Sequence, residues 1–407
     1  MKSLSMSQQK WLTFGMVWFA IFTTSYAQNQ LPPIAPQLMQ GLGITQQQYS
    51  GIFNAPTWTA VFLGIVLGAI ADRFGVKKLV TITASIAVIG LIGRVFSTGY
   101  TSMFISNLLP GFMACVISTN RSKIFGAWFK PGEIGMVMGL SMTVTPVAST
   151  LSMGTTALFP TREIAFMVSS AVGIVLFILW VILFKEKPDG VEFPPPKPVV
   201  SYLKISAKNP FIWVVGLALF FAMGAQVTSV AFLSSALQSR GLDRVAAGAY
   251  STAITLGMGV GSIVIPMISR KIGLFKPVIV PVTIIGTICL YFGWQMPIGI
   301  PVFAVVFLAG LSIGALIPTL ATFPVLLVGR EYAGSAAGMA ATLQLLGAAT
   351  IVTYVIVPTA RGDFATMYMM GAACLILAGV FGMIVPELGV KGRRAMEASK
   401  EQEATTK

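Results

Sequence analysis

Apolar runs of about twenty residues, each closed by a short polar turn, follow one another along nearly the whole chain. A helix rises about 1.5 Å per residue, so a run of that length crosses the ~30 Å hydrocarbon core of a bilayer. The pattern predicts six spans at 11–33, 50–71, 78–97, 102–125, 135–159 and 163–185. Six more are predicted at 211–238, 245–268, 275–294, 299–328, 333–357 and 364–387. Several exceed the minimum crossing length, which permits tilt or short ends in water. The predicted fold class is an all-α membrane protein with twelve transmembrane helices.

The rhythm breaks once, at KEKPDGVEFPPPKPVVSYLKISAKNP, residues 185–210. Prolines 194–196 and 198 favour an extended chain, and the mixed charge keeps it in water. The predicted organisation is a six-helix bundle over 1–185, a cytoplasmic linker over 186–210, a second six-helix bundle over 211–387 and a cytoplasmic tail over 388–407. The bundles are related. A shift of 199 lays Gly310 on Gly111, Gly334 on Gly135 and Gly338 on Gly139, and a shift of 198 lays SRKIGLFK on ADRFGVKK. Internal repeats about an axis along the membrane normal are a transporter design.

Composition sharpens this picture. Only 10% of the 407 residues are charged and 55% are hydrophobic, against about 25% charged in a soluble domain. The net charge of +14 is not a nucleic-acid signal. With both termini cytoplasmic, only Arg94, Arg162, Arg240, Arg244 and Arg361 of the 27 basic residues fall outside, so the other 22 obey the positive-inside rule and attract anionic lipid. Ser25-Tyr26-Ala27 after the first apolar run looks like a signal-peptidase site, but the expectation is that this run stays as the first helix. Cys115, Cys289 and Cys374 lie far apart in apolar runs, without metal or disulfide spacing, and there is no histidine.

Between the second and third spans stands GAIADRFGVKK, residues 68–78. Gly68 and Gly75 permit close helix approach and a tight turn, Asp72 is an acceptor for N–H groups of a neighbouring helix, and Arg73 with Lys77 and Lys78 holds the turn inside. The stretch resembles the Gly-x-x-x-Asp-Arg-x-Gly-x-[Arg/Lys]-[Arg/Lys] signature of the major facilitator superfamily, and the resemblance covers essentially the whole chain. It implies two six-helix pseudo-repeats, alternating access, and a gating role for Asp72, Arg73, Gly68 and Gly75. The second copy departs, with Pro266 for the first glycine and Arg270 for the aspartate, so the latch is expected to be one-sided. Asn107 stands where the fourth-helix motif carries a base, and GLSMTVTPVASTLSMG lacks the glycine-proline pattern of proton-driven drug exporters. FPVLLVGREYAGSAAGMAATLQ looks instead like the tenth-to-eleventh helix region of nitrate, cyanate and organic-anion carriers.

Arg121 is the first candidate for chemistry. It lies eight residues before Phe129, at the cytoplasmic end of the fourth span, or ~12 Å along the helix and near the midplane. A charge there costs at least ~2.5 kcal/mol to insert and therefore faces a cavity or a partner. It binds an anion bidentately, or it bonds to helix carbonyls or snorkels inward. Its repeat partner, Leu320, is apolar. Lys123 is about 200° around the helix from Arg121 and reads equally as a ligand or a snorkelling base. SKIFGAWFKP resembles the Asn-Arg-x-x-x-x-Trp-Phe-Pro pattern of organic-anion symporters, with Lys123 in the arginine's place. Arg94, at the outer end of the third span, is expected at the interface.

Helices 1, 4, 7 and 10 line the cavity in the family. Tyr26, Gln28, Asn29 and Gln30 in the first span, Gln226 in the seventh and Gln344 in the eleventh are candidate substrate contacts or helix staples. No acid falls mid-span by these assignments, which leans toward exchange or facilitated diffusion and away from a proton relay. No Gly-x-x-x-x-Gly-Lys-[Ser/Thr] loop is present, so direct use of ATP is not expected. The expected protein is a monomeric carrier in the cytoplasmic membrane, neither enzyme nor cofactor-dependent, moving a small solute, by this reading an anion such as a carboxylate. A multidrug or hydrophobic-compound exporter is the alternative, and a non-transporting membrane sensor a more distant one.

Overall fold

The computed structural model describes residues 5–188 and 206–392, with the side chains of Ile65, Ala69, Asp72, Pro131, Gly132, Gly135 and 329–333 excepted. The predicted linker and tail lie largely outside the described residues. Among those described every regular element is helical. The order is α1 Met6–Asn29, α2 Ala35–Leu42, α3 Gln46–Phe74, α4 Val76–Val95, α5 Tyr100–Leu108, α6 Pro110–Trp128, α7 Pro131–Met142, α8 Val144–Thr156 and α9 Arg162–Leu183. There follow α10 Pro210–Ser239, α11 Arg244–Ile272, α12 Lys276–Gly293, α13 Ile300–Thr350, α14 Val357–Ala360 and α15 Phe364–Ile384.

Ten stretches among the described residues are long and apolar enough to cross a membrane. Helices α1 and α3 are outside that ten, yet their 24 and 29 residues reach ~36 and ~44 Å, more than a bilayer core. Twelve crossings result. Large apolar side chains point outward, among them Phe62, Ile89, Ile182, Ile288 and Ile300, the reverse of a soluble protein and suited to lipid.

The chain departs from the predicted spans where local chemistry intervenes. The first predicted span ends early, because Pro32 and Pro33 tighten the backbone into a 3-10 turn before α2. Helix α2 stops at Gly43, held at φ 61, a left-handed cap that glycine adopts without strain. Thr45 and Gln48 then cap α3 reciprocally, at 3.2 and 2.9 Å. Pro110 starts α6 and divides the fourth span. Thr143 divides the fifth, its hydroxyl turning back to the Leu140 carbonyl at 2.8 Å.

The chain sorts into two compact units, residues 1–197 with 237–252, and residues 198–236 with 253–407. Residues 237–252 join the first unit through polar contacts: Gln238 donates to the Pro33 carbonyl at 3.1 Å, and Arg244 to the Phe159 carbonyl at 2.6 Å. Within the first unit α1 runs beside α7 and α8 in the same direction, with Lys10 against Glu133 and Tyr26 against Ser152. Helix α3 runs the same way as α6, with Pro56 against Gly111 and Gly68 against Thr119. Val17, Ala20, Val80, Val116, Phe125 and Trp180 form the core between them.

The second unit repeats the plan. Helix α11 runs with the first part of α13, Ile254 beside Gly310 and Met258 beside Gly314, and α10 runs with the later part, Gly216 beside Leu343 and Gly224 beside Ile351. Helix α12 opposes both α15 (Thr283 beside Gly379, Leu290 beside Gly371) and the first part of α13 (Gly286 beside Ser312, Gly293 beside Val306). Helix α15 opposes α10, Gly371 lying beside Thr228 and Phe381 beside Phe221. The first part of α13 therefore runs against α10 and the later part along it. Although its helical backbone is continuous over 51 residues, the chain reverses between Leu320 and Leu343 and crosses twice, as Ile300–Val328 and Gly334–Ala360.

The shared glycines divide by role. A Cβ on Gly111 would meet the Pro56 carbonyl oxygen at 2.5 Å, and one on Gly310 the carbonyl carbon of Ile254 at 2.8 Å. These are equivalent helix contacts in the two repeats. Gly173 and Gly371 make a second matched pair, against Leu91 and Leu290. A Cβ on Gly139, Gly334 or Gly338 would meet nothing within 4 Å, so close packing does not account for those three.

Candidate functional site

The first unit encloses a cavity of about 150 Å³ between α1, α3, α4, α5, α6 and α8. Asn107, Pro110, Ala114 and Ser118 form its wall from the fourth span. Within α6 the spacing of four places Pro110, Ala114 and Ser118 along one helix face, with Asn107 of α5 just before them. Thr24, Ser25 and Gln28 of α1 face it from the other side, with Thr145 of α8. The Gln28 amide is fixed by donating to the Phe53 carbonyl at 3.0 Å. Ile21, Ala27 and Pro56 add apolar lining, as expected of a small-solute site with a few placed polar groups.

Arg94 closes this cavity, which corrects the expectation that it lies at the interface. It is 2% exposed, its guanidinium stacks 4.2 Å from the centre of the Phe166 ring, and none of its three guanidinium nitrogens has a hydrogen-bond partner. Its place in the last turn of α4 suggested the membrane surface. The neighbouring glycines carried the contrary signal: a Cβ on Gly90 would meet Leu109 at 2.7 Å, and one on Gly93 the Ser106 hydroxyl at 2.7 Å. That face of α4 is pressed against α5, and Arg94 is buried with it.

Arg121 lies one helical turn beyond Ser118, on the same side of α6. It is half-buried, its Nε has no partner, and its contact is with the Met142 sulfur at 3.8 Å. Lys123 is half-buried on a different face; Asn120, near it, turns its amide back to the Val116 carbonyl at 2.9 Å.

The polar cluster of α1 separates by role. Gln30 is fully buried and donates to the Ala165 carbonyl of α9 at 2.7 Å, away from the cavity lining. The Tyr26 hydroxyl pairs with Thr155 at 2.8 Å, and the Tyr26 carbonyl accepts from Ser152 at 2.7 Å. Both contacts tie α1 to α8. Asn29 bonds within its own helix, to Ser25. In the second unit Gln226 is half-buried on α10, and Gln344 of α13 donates to the Met223 sulfur of α10 at 3.5 Å.

At the helix ends around Gly75 and Gly273 each unit holds a carboxylate that the sequence reading did not single out. Glu186, just past α9, accepts from the Lys77 N–H at 3.0 Å and lies 3.2 Å from where a Gly75 Cβ would be. The indole of Trp128 fixes its segment, donating to the Lys185 and Glu186 carbonyls at 3.3 and 3.2 Å. Glu387, just past α15, accepts from Phe275 and Lys276 at 2.8 and 2.9 Å. Both carboxylates sit on exposed helix N–H groups at the positive end of the helix dipole, at the starts of α4 and α12. Gly75 and Gly273, at φ 89 and 79, make the turns that admit them. Gly68 packs on Thr119, whose methyl would lie 3.2 Å from a Cβ, and Arg73 is exposed over the Phe74 ring at 5.4 Å. The Asp72 side chain is outside those described. Lys10 pairs with Glu133 at 2.7 Å and lies over Phe129, joining α1 to the start of α7. Among the described residues no cluster of three or more acids or cysteines has metal-binding geometry.

The sequence pattern of the Major Facilitator Superfamily matches residues 17–352. The hexuronate transporter of Bacillus subtilis (strain 168) is 24% identical over 160 residues, 38% of this chain and 37% of that one. The nitrate/nitrite transporter NrtP of Nostoc punctiforme is 21% identical over 140 residues, 34% of this chain and 28% of its own length. The probable sulfoacetate transporter SauU of Cupriavidus necator is 21% identical over 182 residues, 44% of this chain and 42% of its own. The chain thus matches less than half the length of each. The crystal structure of a bacterial homologue of the human lysosomal transporter Spinster superposes with a TM-score of 0.73 over 92% of this chain and 95% of that one, at 12% identity, which is a likeness of fold. The matched family pattern and the two repeated helical bundles agree: this chain is a member of the major facilitator superfamily.

Proposed function

We propose that the protein is a secondary carrier that moves a small anion, such as a carboxylate, across the cytoplasmic membrane by alternating access. The observation that carries this reading is Arg121, a half-buried guanidinium inside the membrane span Tyr100–Trp128, with its Nε unpartnered. A charge at that depth is retained where it meets solute or a partner, and a guanidinium grips a carboxylate or related oxyanion through paired N–H donors. The hexuronate, nitrate/nitrite and sulfoacetate named for three relatives are all anions, which supports the same class here.

The coupling reading is exchange or facilitated movement. Glu133, Glu163, Glu186, Asp363 and Glu387 stand at helix ends or just beyond them, where they cap helices and pair with bases and do not form an intramembrane proton path. Asp72 is proposed to hold the cytoplasmic gate shut in one state, with Glu186 anchoring the same turn within its own unit.

Counterflow in proteoliposomes tests this directly. The vesicles are preloaded with mono- and dicarboxylates, nitrate or sulfonates and assayed without a pH gradient. Uptake of a labelled anion that accelerates when unlabelled anion is inside supports exchange. Uptake only with an imposed proton gradient overturns the exchange reading, and transport of cationic dyes without any anion flux overturns the anion reading.

A further inference from the structure

Within the anion-carrier reading, on which this step rests, we propose that Arg94 and its cavity form a second binding station for a small planar oxyanion, distinct from Arg121. The argument begins with an unbalanced charge. Arg94 is 2% exposed in the first unit, and all three of its guanidinium nitrogens lack acceptors. Stacking on Phe166 offsets part of the desolvation of a buried cation. It satisfies no N–H group, and a buried cation without hydrogen bonds is among the most costly features of a fold. The cost is relieved when a ligand with in-plane lone pairs meets the guanidinium edge.

The surroundings suit that ligand. Arg94 lines the cavity of about 150 Å³ together with Gln28, Asn107, Ser25 and Thr145. These side chains supply hydroxyl and amide groups and no competing carboxylate. A cavity of this volume holds a molecule of about benzene size, so it admits a carboxylate, nitrate or similar group. The opposing wall descends α6 through Ala114 to Ser118, and Arg121 follows within one turn. An oxyanion leaving Arg94 along this face meets Arg121 next, so the two guanidinium groups act in sequence and not as one clamp.

The test uses the full-length protein purified in detergent. Thermal unfolding is followed with sodium nitrate and with sodium acetate up to high millimolar concentration, at ionic strength held constant with sodium chloride. The expected result is saturable stabilisation of the wild type by at least one of the two salts. Arg94→Gln weakens the apparent affinity about tenfold or more, the scale of one strong charged contact. Ala114→Leu fills the cavity while leaving Arg94 in place and removes the effect. Arg94→Lys keeps the charge without the planar fork and falls between. If Arg94→Gln does not fold, Arg94→Lys and Ala114→Leu carry the test.

Unchanged anion stabilisation in Arg94→Lys and Ala114→Leu overturns the proposal, as does its absence from the wild type. Either result with intact anion counterflow leaves the carrier reading standing. No counterflow of any anion by the wild type removes the carrier reading itself.

Discussion

Gly261→Ala adds a single methyl group at the tightest helix contact in the second unit. Gly257 and Gly261 on α11 press against the Phe307 and Leu311 backbone of α13, and Gly310 and Gly314 on α13 against the Ile254 and Met258 backbone of α11, two small-xxx-small pairs that bring backbone to backbone. A Cβ on Gly261 would lie 2.8 Å from the Leu311 carbonyl carbon and nearer still to its oxygen. Because the obstruction is backbone, no side-chain rotation relieves it. Restoring a contact of 3.4 Å to that carbon alone requires the helices to part by about 0.6 Å, and the nearer oxygen asks for more. A gap of that size along the seam forfeits roughly a quarter to a half of the dispersion energy there. Overpacking of this kind costs about 1–3 kcal/mol, against a helix-propensity gain of up to ~1 kcal/mol for alanine. The control is Gly338→Ala, where a Cβ meets nothing within 4 Å and only the propensity gain operates. Equilibrium unfolding in mixed micelles should show Gly261→Ala less stable than the wild type and Gly338→Ala equal or more stable. A Gly261→Ala protein at least as stable as the wild type refutes the backbone packing deduced for α11 and α13.

Three further outcomes follow from the helix-end contacts. Glu387→Ala removes the acceptor for Phe275 and Lys276 at the start of α12, and the same unfolding assay should register a loss of about 0.5–2 kcal/mol, the range for an N-terminal cap; no loss contradicts the capping role. The hydrogen bond from Lys10, followed by the Lys130 N–H, holds the Glu133 carboxyl below its ordinary value. The stability from this depressed carboxyl is therefore fully present above the ordinary carboxylate range and is lost as pH falls through the folded value; Glu133→Gln should flatten that acid limb of the stability profile, and an unchanged limb removes Glu133 as its source. Asp72→Asn should lower turnover while leaving substrate affinity unchanged, measured as exchange rate against ligand-dependent thermal stabilisation. A large affinity loss at normal turnover contradicts the gating role proposed for it.

The crossings were legible because bilayer thickness imposes one length on every span, and the charged turns at Gly75 and Gly273 mark the repeat. Helix breaks at Pro110 and Thr143 were less legible, since the apolar pattern continues through them. The site was readable only in part. Arg121 becomes a candidate by its depth, counted back from Phe129, whereas depth misplaced Arg94. Burial of Arg94 depends on α5 and α9, and neither contact is written in the α4 sequence alone. Gln30 and Gln28 looked equivalent on α1; their opposite roles follow from rotation about the helix, which brings Gln30 to the Ala165 carbonyl and Gln28 to the cavity. Glu186 and Glu387 escaped notice because an acid just past a helix end is ordinary until the facing N–H groups are located.

The central claim is that a guanidinium inside the first unit handles an anionic cargo. Anion counterflow by Arg121→Gln and Arg121→Lys, compared with the wild type at equal amounts of folded protein in the liposomes, tests it most directly. Loss of one bidentate charged contact predicts uptake reduced by about tenfold or more in Arg121→Gln, with partial retention in Arg121→Lys. Uptake by Arg121→Gln at the wild-type rate and affinity contradicts the account.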